Sequence, residues 1–348
     1  IETINNVEDF VSLTSELYPD LISDEENDEV LALSDAAWMD YENGTLDHDK
    51  TMAQLQKLSF IPQVVDNWYE VATPAQLWYI SHLGNSGQYV INVRLTADID
   101  LSGISYFPPI GKQYWPQGPA LSFDGIFDGQ GHIIYNLRIE KDDPGAETGL
   151  FGRLNGATIQ NLGIVNATLK NSNALRAGVL GACAVNSKII NCFTTGNIVT
   201  DGCVCSHNYT NGGGLIGLMT PGTVISNSYT TYATLGDDEG AAGVIIENCY
   251  WGEEAVAGAP TGELCYKLNG DQSTITWFQK LGEDTYPVLN AERGTVIPNN
   301  GGGFENATGI QQVAKEQRTN GIYNLKGQKV GKAKKGVHVI DGQKVLTR

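Results

Sequence analysis

One short unit, isoleucine then any residue then asparagine, recurs between residues 134 and 248 and constrains the fold more than any other feature. Five widely spaced copies are Ile134/Asn136, Ile159/Asn161, Ile189/Asn191, Ile225/Asn227 and Ile246/Asn248, with successive asparagines 25, 30, 36 and 21 residues apart. Three copies sit inside a longer pattern of glycines and apolar pairs: TGLFGRLNGATIQNLGI (148–164), AGVLGACAVNSKIINCFT (177–194) and GGLIGLMTPGTVISNSYT (213–230). A constant unit with variable spacers is how a stacked repeat behaves. Each turn keeps its inward-facing positions and takes insertions where the chain swings outside. The units are too short and too rich in Val, Ile, Thr and Gly for paired helices, and stretches such as IQNLGIVNATL alternate with period two. Parallel stacking places Ile on Ile as a core column and Asn on Asn at the bends, where each satisfied hydrogen bond contributes about 1 kcal/mol net. The expected fold is therefore all-β, a parallel right-handed β-helix solenoid.

The residues after the asparagines, Leu137, Leu162, Cys192, Ser228 and Cys249, read as one further internal column. Ser228 then separates the two cysteines. A bridge between them would skip a coil, roughly 9.5 Å at two strand spacings, beyond the reach of a disulfide. The six cysteines show no zinc spacing, and most read as small, free, buried side chains.

With 348 residues, 41 glycines and only 18% charged residues, the composition suits a many-turned β architecture. The net charge of −18 argues against nucleic acid, whose phosphates need clustered Lys and Arg. No apolar run approaches the ~18 residues of a membrane span. The charge is uneven: residues 309–348 hold nine Lys/Arg against Glu316 and Asp341, a surplus of +7 that leaves −25 for everything before them. A tail of opposite sign reads as a separate module. The first residue is Ile1, so a signal peptide or lipid anchor upstream cannot be read.

The GLFG…ATIQNL, AGVLG…KIINC and GGLIG…VISNSYT units resemble the GLUG repeat of bacterial surface proteins, a parallel β-helix element also found as a non-catalytic part of some immunoglobulin-A-cleaving peptidases. The upstream segments YEVATPAQLWYISHL (69–83), LTADIDLSG (95–103) and FDGIFDGQGHII (123–134) are similar to the way such coils begin. Thr73 as N-cap and Pro74 as first helical residue predict a short helix that covers the open end of the coil. TGELCYKLNGDQSTITWFQKLGEDTYPVL (261–289) resembles the closing segment of the same class. A short helix is expected from Thr261 and Glu263, with Trp277, Phe278 and Tyr286 supplying apolar cover. The tail looks like the C-terminal sorting-type domains of secreted proteins in Bacteroidetes-like bacteria, and its VHVI-DG-QKVL stretch is a hairpin signal.

The reading divides the chain into an acidic helical N-terminal appendage (1–62), a capped parallel β-helix with GLUG-like repeats (63–296), a linker (297–308) and a basic β-hairpin module (309–348). In the appendage, Phe10, Leu13, Leu17 and Leu21 predict a helix over 7–22, and 51–60 a second. The acidic run SDEENDE (23–29) reads as a solvated loop rather than a calcium loop, which would need glycine and spaced ligands.

FDGIFDGQGH (123–132) sets Asp124, Asp128 and His132 among glycines. Two carboxylates about 5 to 9.5 Å apart would suit a glycosidase. The simpler reading is consecutive Asx-type turns, with Gly125, Gly129 and Gly131 in conformations that need no Cβ. Asp98 and Asp100 read likewise as turn-forming. Asp142/Asp143 and Asp237/Asp238/Glu239 could hold calcium or simply be solvated. Cys203 with His207 lacks a third member for a cysteine nucleophile. The Asn-Thr-Asp, Gly-His-Gly and Arg-Ile-Lys motifs of polygalacturonase-like hydrolases are absent, and none of the bases Arg138, Arg153, Lys170, Arg176 and Lys188 sits beside the carboxylate group a pectate-lyase-like enzyme needs. Tyr114 and Trp115, in the insertion IGKQYWPQGPALSF (110–123), are the best ligand-binding candidates, because exposed aromatic faces stack on sugars or anchor partners; alternatively Trp115 folds back as a lid.

The resulting expectation is a secreted or cell-surface, adhesin-like binding protein, displayed on the outer surface of a Gram-negative bacterium. It would recognise glycan or a host or bacterial surface protein through loops along the β-helix. A monomer is expected, without a cofactor or resident metal; calcium is the one ion its acidic loops could hold. The alternatives are a β-helix lyase or glycoside hydrolase, with Asp124, Asp128 and His132 as its catalytic group, and a structural spacer. The balance leans away from an enzyme.

Overall fold

The computed structural model describes residues 2–17, 19–112, 121–140, 146–170, 174–196, 199–201, 212–236, 242–270 and 272–307, and the strands 322–323, 329–330, 336–340 and 343–347. Among them the chain is strand-rich, with mostly parallel sheets and six helices, and no sheet closes into a barrel. It forms two compact units, residues 1–257 and 258–348.

The first unit opens with α1 (Glu2–Leu17), α2 (Asp24–Glu42) and α3 (His48–Leu55). Ile4, Val7, Leu13 and Leu17 bury one face of α1. The helix expected over 7–22 is thus five residues further forward at its start, and Leu21 falls in the turn beyond it. The acidic run is not a loop. Ser23 is the N-cap of α2, its hydroxyl accepting the Glu26 N–H at 3.2 Å, and Asp24, Glu25 and Glu26 occupy the first turn. Carboxylates there complement the positive end of the helix dipole, so the acids that suggested solvation stabilise a helix start instead.

A tight antiparallel pair, Gln63–Val65 with Trp68–Val71, leads into α4 (Pro74–Asn85). Thr73 caps it as expected, accepting the Gln76 N–H at 3.2 Å. From Trp68 the largest sheet continues in parallel through Asn92–Leu95, Ile126–Asp128, Thr158–Val165, Lys188–Thr195, Val224–Ser226 and Ile245–Glu247. Between visits the chain passes through Arg138–Glu140, Thr168–Lys170 and Val199–Asp201, which pair in parallel. It also passes through Phe151–Asn155, Gly181–Val185 and Ile216–Met219, which do the same. Successive circuits therefore stack strand on strand in constant register. Val93, Phe127, Ile159, Ile189 and Ile225 form one fully buried column, which ends at Ile246, 39% exposed on the last strand.

That register corrects the repeat alignment. Ile159 pairs with Phe127, whereas Ile134 pairs with Ile164. The first Ile-x-Asn copy, with Leu137, therefore stands in different columns from the other four. The pairs Gln160↔Asp128 and Gly163↔Ile133 enclose two residues on one strand and four on the other. GQGH thus does in the earlier circuit what Asn161-Leu162 does in the next, with two residues more.

All five asparagines take positive φ, from 48° to 59°. Asparagine tolerates this left-handed region better than other residues with a Cβ, because its short amide bonds locally. The amides also bond along the stack. Asn161 donates to Asp128 Oδ1 at 3.1 Å, Asn191 to Asn161 Oδ1 at 3.2 Å and Asn248 to Asn227 Oδ1 at 2.8 Å. Asn136 donates instead to Asp100 Oδ1 at 2.8 Å, as its shifted column requires.

In the second unit, a helix over Glu263–Asn269 starts next to Thr261, whose hydroxyl accepts the Glu263 N–H at 3.4 Å. Buried Asn269 accepts the backbone N–H groups of Thr276 and Trp277, each at 2.9 Å, and donates to Trp277 O at 2.8 Å. The Trp277 ring is fully buried. In the tail, Gly336–Ile340 pairs antiparallel with Gln343–Thr347, the hairpin read from the sequence.

Candidate functional site

The acidic, glycine-rich stretch is a bend built for stacking. Asp128 Oδ1 accepts the Gln130 N–H at 2.9 Å, an Asx turn, and its Oδ2 accepts from Gln160 Nε2 at 2.9 Å. Asp124 accepts from the Ser122 hydroxyl at 2.5 Å and from Asn155 Nδ2 at 3.5 Å. His132 Nδ1 lies 3.0 Å from Asp98 Oδ1, which also accepts the Ile133 N–H at 3.0 Å. Asp100 accepts the Ser102 N–H at 2.9 Å, and the Asn136 amide bond holds its carboxyl below the usual range. Each candidate side chain is thus tied to its own neighbours. The glycines serve two needs: Gly131 has φ 86°, whereas a Cβ on Gly125 or Gly129 would lie 1.8 Å from Ile91 O or 2.4 Å from Asn161 O.

Tyr114, Trp115, Asp142, Asp143, Asp237, Asp238, Glu239, Cys203, Cys205 and His207 lie outside the described residues. Among those described, no group of three or more His, Cys, Asp or Glu side chains could hold a metal ion. No helix is long and apolar enough to cross a membrane.

The residues on either side of the 113–120 segment do converge on a cavity. Lys112 and Leu121 line a space of about 320 Å³ together with Glu16 of α1 and Trp78, His82 and Asn85 of α4. Hydrogen bonds lock its wall. The Ser81 hydroxyl donates to Pro108 O at 2.7 Å, and the Asn85 amide donates to Pro109 O at 3.0 Å and accepts the Lys112 N–H at 2.7 Å. Trp78 Nε1 donates to Glu16 Oε2 at 3.2 Å, joining α1 to α4. Lys112 Nζ reaches the Tyr106 hydroxyl at 3.0 Å and stands 5.6 Å from the centre of its ring. Trp78, Pro108 and Leu121 give this cavity apolar surface, and Glu16, His82 and Lys112 give it a carboxylate, an imidazole and an ammonium.

A second cavity of about 270 Å³ lies between α1, α3 and α4, and it shares His82 and Ser86 with the first. Phe10 and Tyr79 stack within it, ring centres 6.3 Å apart. Burial, reinforced by Tyr69, pushes the Tyr79 phenol up to about 12, so it stays protonated and able to donate. The sequence reading assigned α4 only a covering role. Its signal was nevertheless present: Trp78, Ser81, His82 and Asn85 fall at helical spacing on one face. What no spacing disclosed is the partner face of α1, 62 residues before Trp78 at the Glu16 bond.

Elsewhere, Glu147 is the one buried acid among the described residues. Arg176 and Arg153 both bond its Oε1, at 3.0 and 3.3 Å, while Oε2 is buried with no hydrogen-bond partner.

No family model matches the chain. Part of it is similar to Halomucin from Haloquadratum walsbyi, 33% identical over 169 residues; the match takes in 46% of this chain and spans only 2% of that protein. A crystal structure from Bacteroides ovatus, described as a "putative immunoglobulin A1 protease", aligns over 64% of this chain and 92% of its own at 16% identity. Its TM-score of 0.41 is too low to carry an argument.

Proposed function

We propose that this is a secreted or cell-surface binding protein of adhesin type, built on a parallel, right-handed β-helix with GLUG-like repeats, that recognises glycan. Constant register across the stacked circuits supports the β-helix reading. The partial likeness to Halomucin is compatible with a place at the cell surface. The observation that carries the binding reading is the 320 Å³ cavity at the root of the 113–120 segment, with Trp78 and Lys112 in its lining. Tyr114 and Trp115 belong to that segment of the sequence, and aromatic rings are the side chains that stack on sugars.

Native electrophoresis of labelled host and plant polysaccharides, with and without protein and calcium, followed by sizing of the recovered polymer, tests this. Retardation with unchanged polymer length is expected. Lys112→Ala, and separately Tyr114→Ala with Trp115→Ala, should each weaken retardation at least tenfold. Shortened polymer would replace the binding reading with an enzymatic one. Unaltered mobility would remove the glycan reading and leave a protein partner.

A further inference from the structure

The two cavities beside α4 differ in how their polar groups are used. Around the 320 Å³ cavity, Ser81, Asn85 and the Trp78 indole N–H spend their hydrogen bonds on the protein itself. Around the 270 Å³ cavity, the exposed side chains of Asp9, Gln56 and Gln88 have no hydrogen-bond or ion-pair partner among the described residues and stand open to solvent or ligand. His82, common to both linings, likewise has no side-chain partner among the described residues. The floor of the second cavity is apolar, formed by Phe10, Leu13 and Leu83. Planar amides and a carboxylate above an apolar floor meet what a sugar ring presents, hydroxyls at its edge and C–H groups on its face. Two cavities that share His82 and Ser86 in their linings fit a chain of linked sugars better than a single one.

Resting on the glycan reading above, we infer that the ligand is an oligosaccharide of at least two linked sugars that crosses α4. One unit sits in each cavity, and His82 contacts the stretch between them. A monosaccharide fills one cavity and leaves the imidazole and the amides of the other solvated; a longer chain engages both sides without a second loss of translational freedom.

Calorimetric titration of the full chain with N-acetylglucosamine, its β1,4-linked dimer and trimer, and the matching galacturonic acid series reads this directly. In at least one series the trimer should bind ten or more times tighter than the monomer. Gln56→Ala and His82→Ala should each pull that ratio towards one. The folding of both variants is checked by thermal unfolding, and His82→Gln, which keeps a planar donor, should restore part of the ratio. Equal affinity for monomer and trimer would overturn the two-cavity site while leaving glycan binding intact. Absence of binding in both series would also overturn it, and together with unretarded polysaccharide would sink the glycan reading itself.

Discussion

Glu147 shows how one side chain can set a pH response. Burial pushes its carboxyl up from 4.5, and the pull of Arg153 and Arg176 in the other direction does not fully offset it. A carboxyl raised on folding contributes stability that is complete below its ordinary value and lost as pH rises through the raised one. The thermal midpoint of the first unit should therefore carry a component that falls as pH rises above the ordinary carboxyl value. Glu147→Gln should flatten that component, and an identical slope in both proteins would show that the carboxyl titrates normally. The cysteines allow a second test. Burial pushes Cys192 up to about 12 and Cys249 up to about 11, so neither forms thiolate near neutrality. Iodoacetamide at pH 8, read by peptide mass, should leave both unlabelled until urea unfolds the chain. Half-buried Cys249 is the informative one; its rapid labelling in the native protein would refute the assignment.

At the scale of elements, the asparagine bends combine a backbone preference with a ladder bond. Asn161 has φ 52°, and its amide donates to Asp128 while its carbonyl accepts from Asn191. Asn161→Ala should cost about 2 kcal/mol in urea unfolding, of which the strained backbone accounts for about 1 and the lost bond for about 1. Asn161→Gly should cost about half as much, because glycine relieves the backbone part. Equal losses would mean that the side-chain bond alone matters. The parallel stacking of strands was legible in the sequence because Ile and Asn recur. Which copies stack was not, since the two extra residues in the Asp128–Ile133 bend shift Asn136 into another column and only strand pairing reveals a shift. Helix α2 was missed for a related reason. Val30 and Ala37 are its only buried residues, too sparse for a periodic signal beside so many acids. The cavities were not legible either: their walls come from segments joined only by tertiary packing.

At the scale of the molecule, the apolar cluster that fills the first unit does not include Leu264, Cys265, Leu268 or Trp277, which are buried in the second. Residues 1–257 expressed alone should therefore keep their β-type circular dichroism and unfold cooperatively. A molten product would show that the cluster is insufficient. The stacked register has a broader consequence. Along the column Phe127, Ile159, Ile189, Ile225 and Ile246, one circuit takes 32, 30, 36 or 21 residues, yet the strands meet in step each time. Since doubling a flexible loop adds only about 0.6 kcal/mol of closure cost, the excursions between strands can change length and content while the frame stays still. Variation in such a gene would collect in these excursions, and a lineage could exchange what the protein holds without re-evolving how it folds.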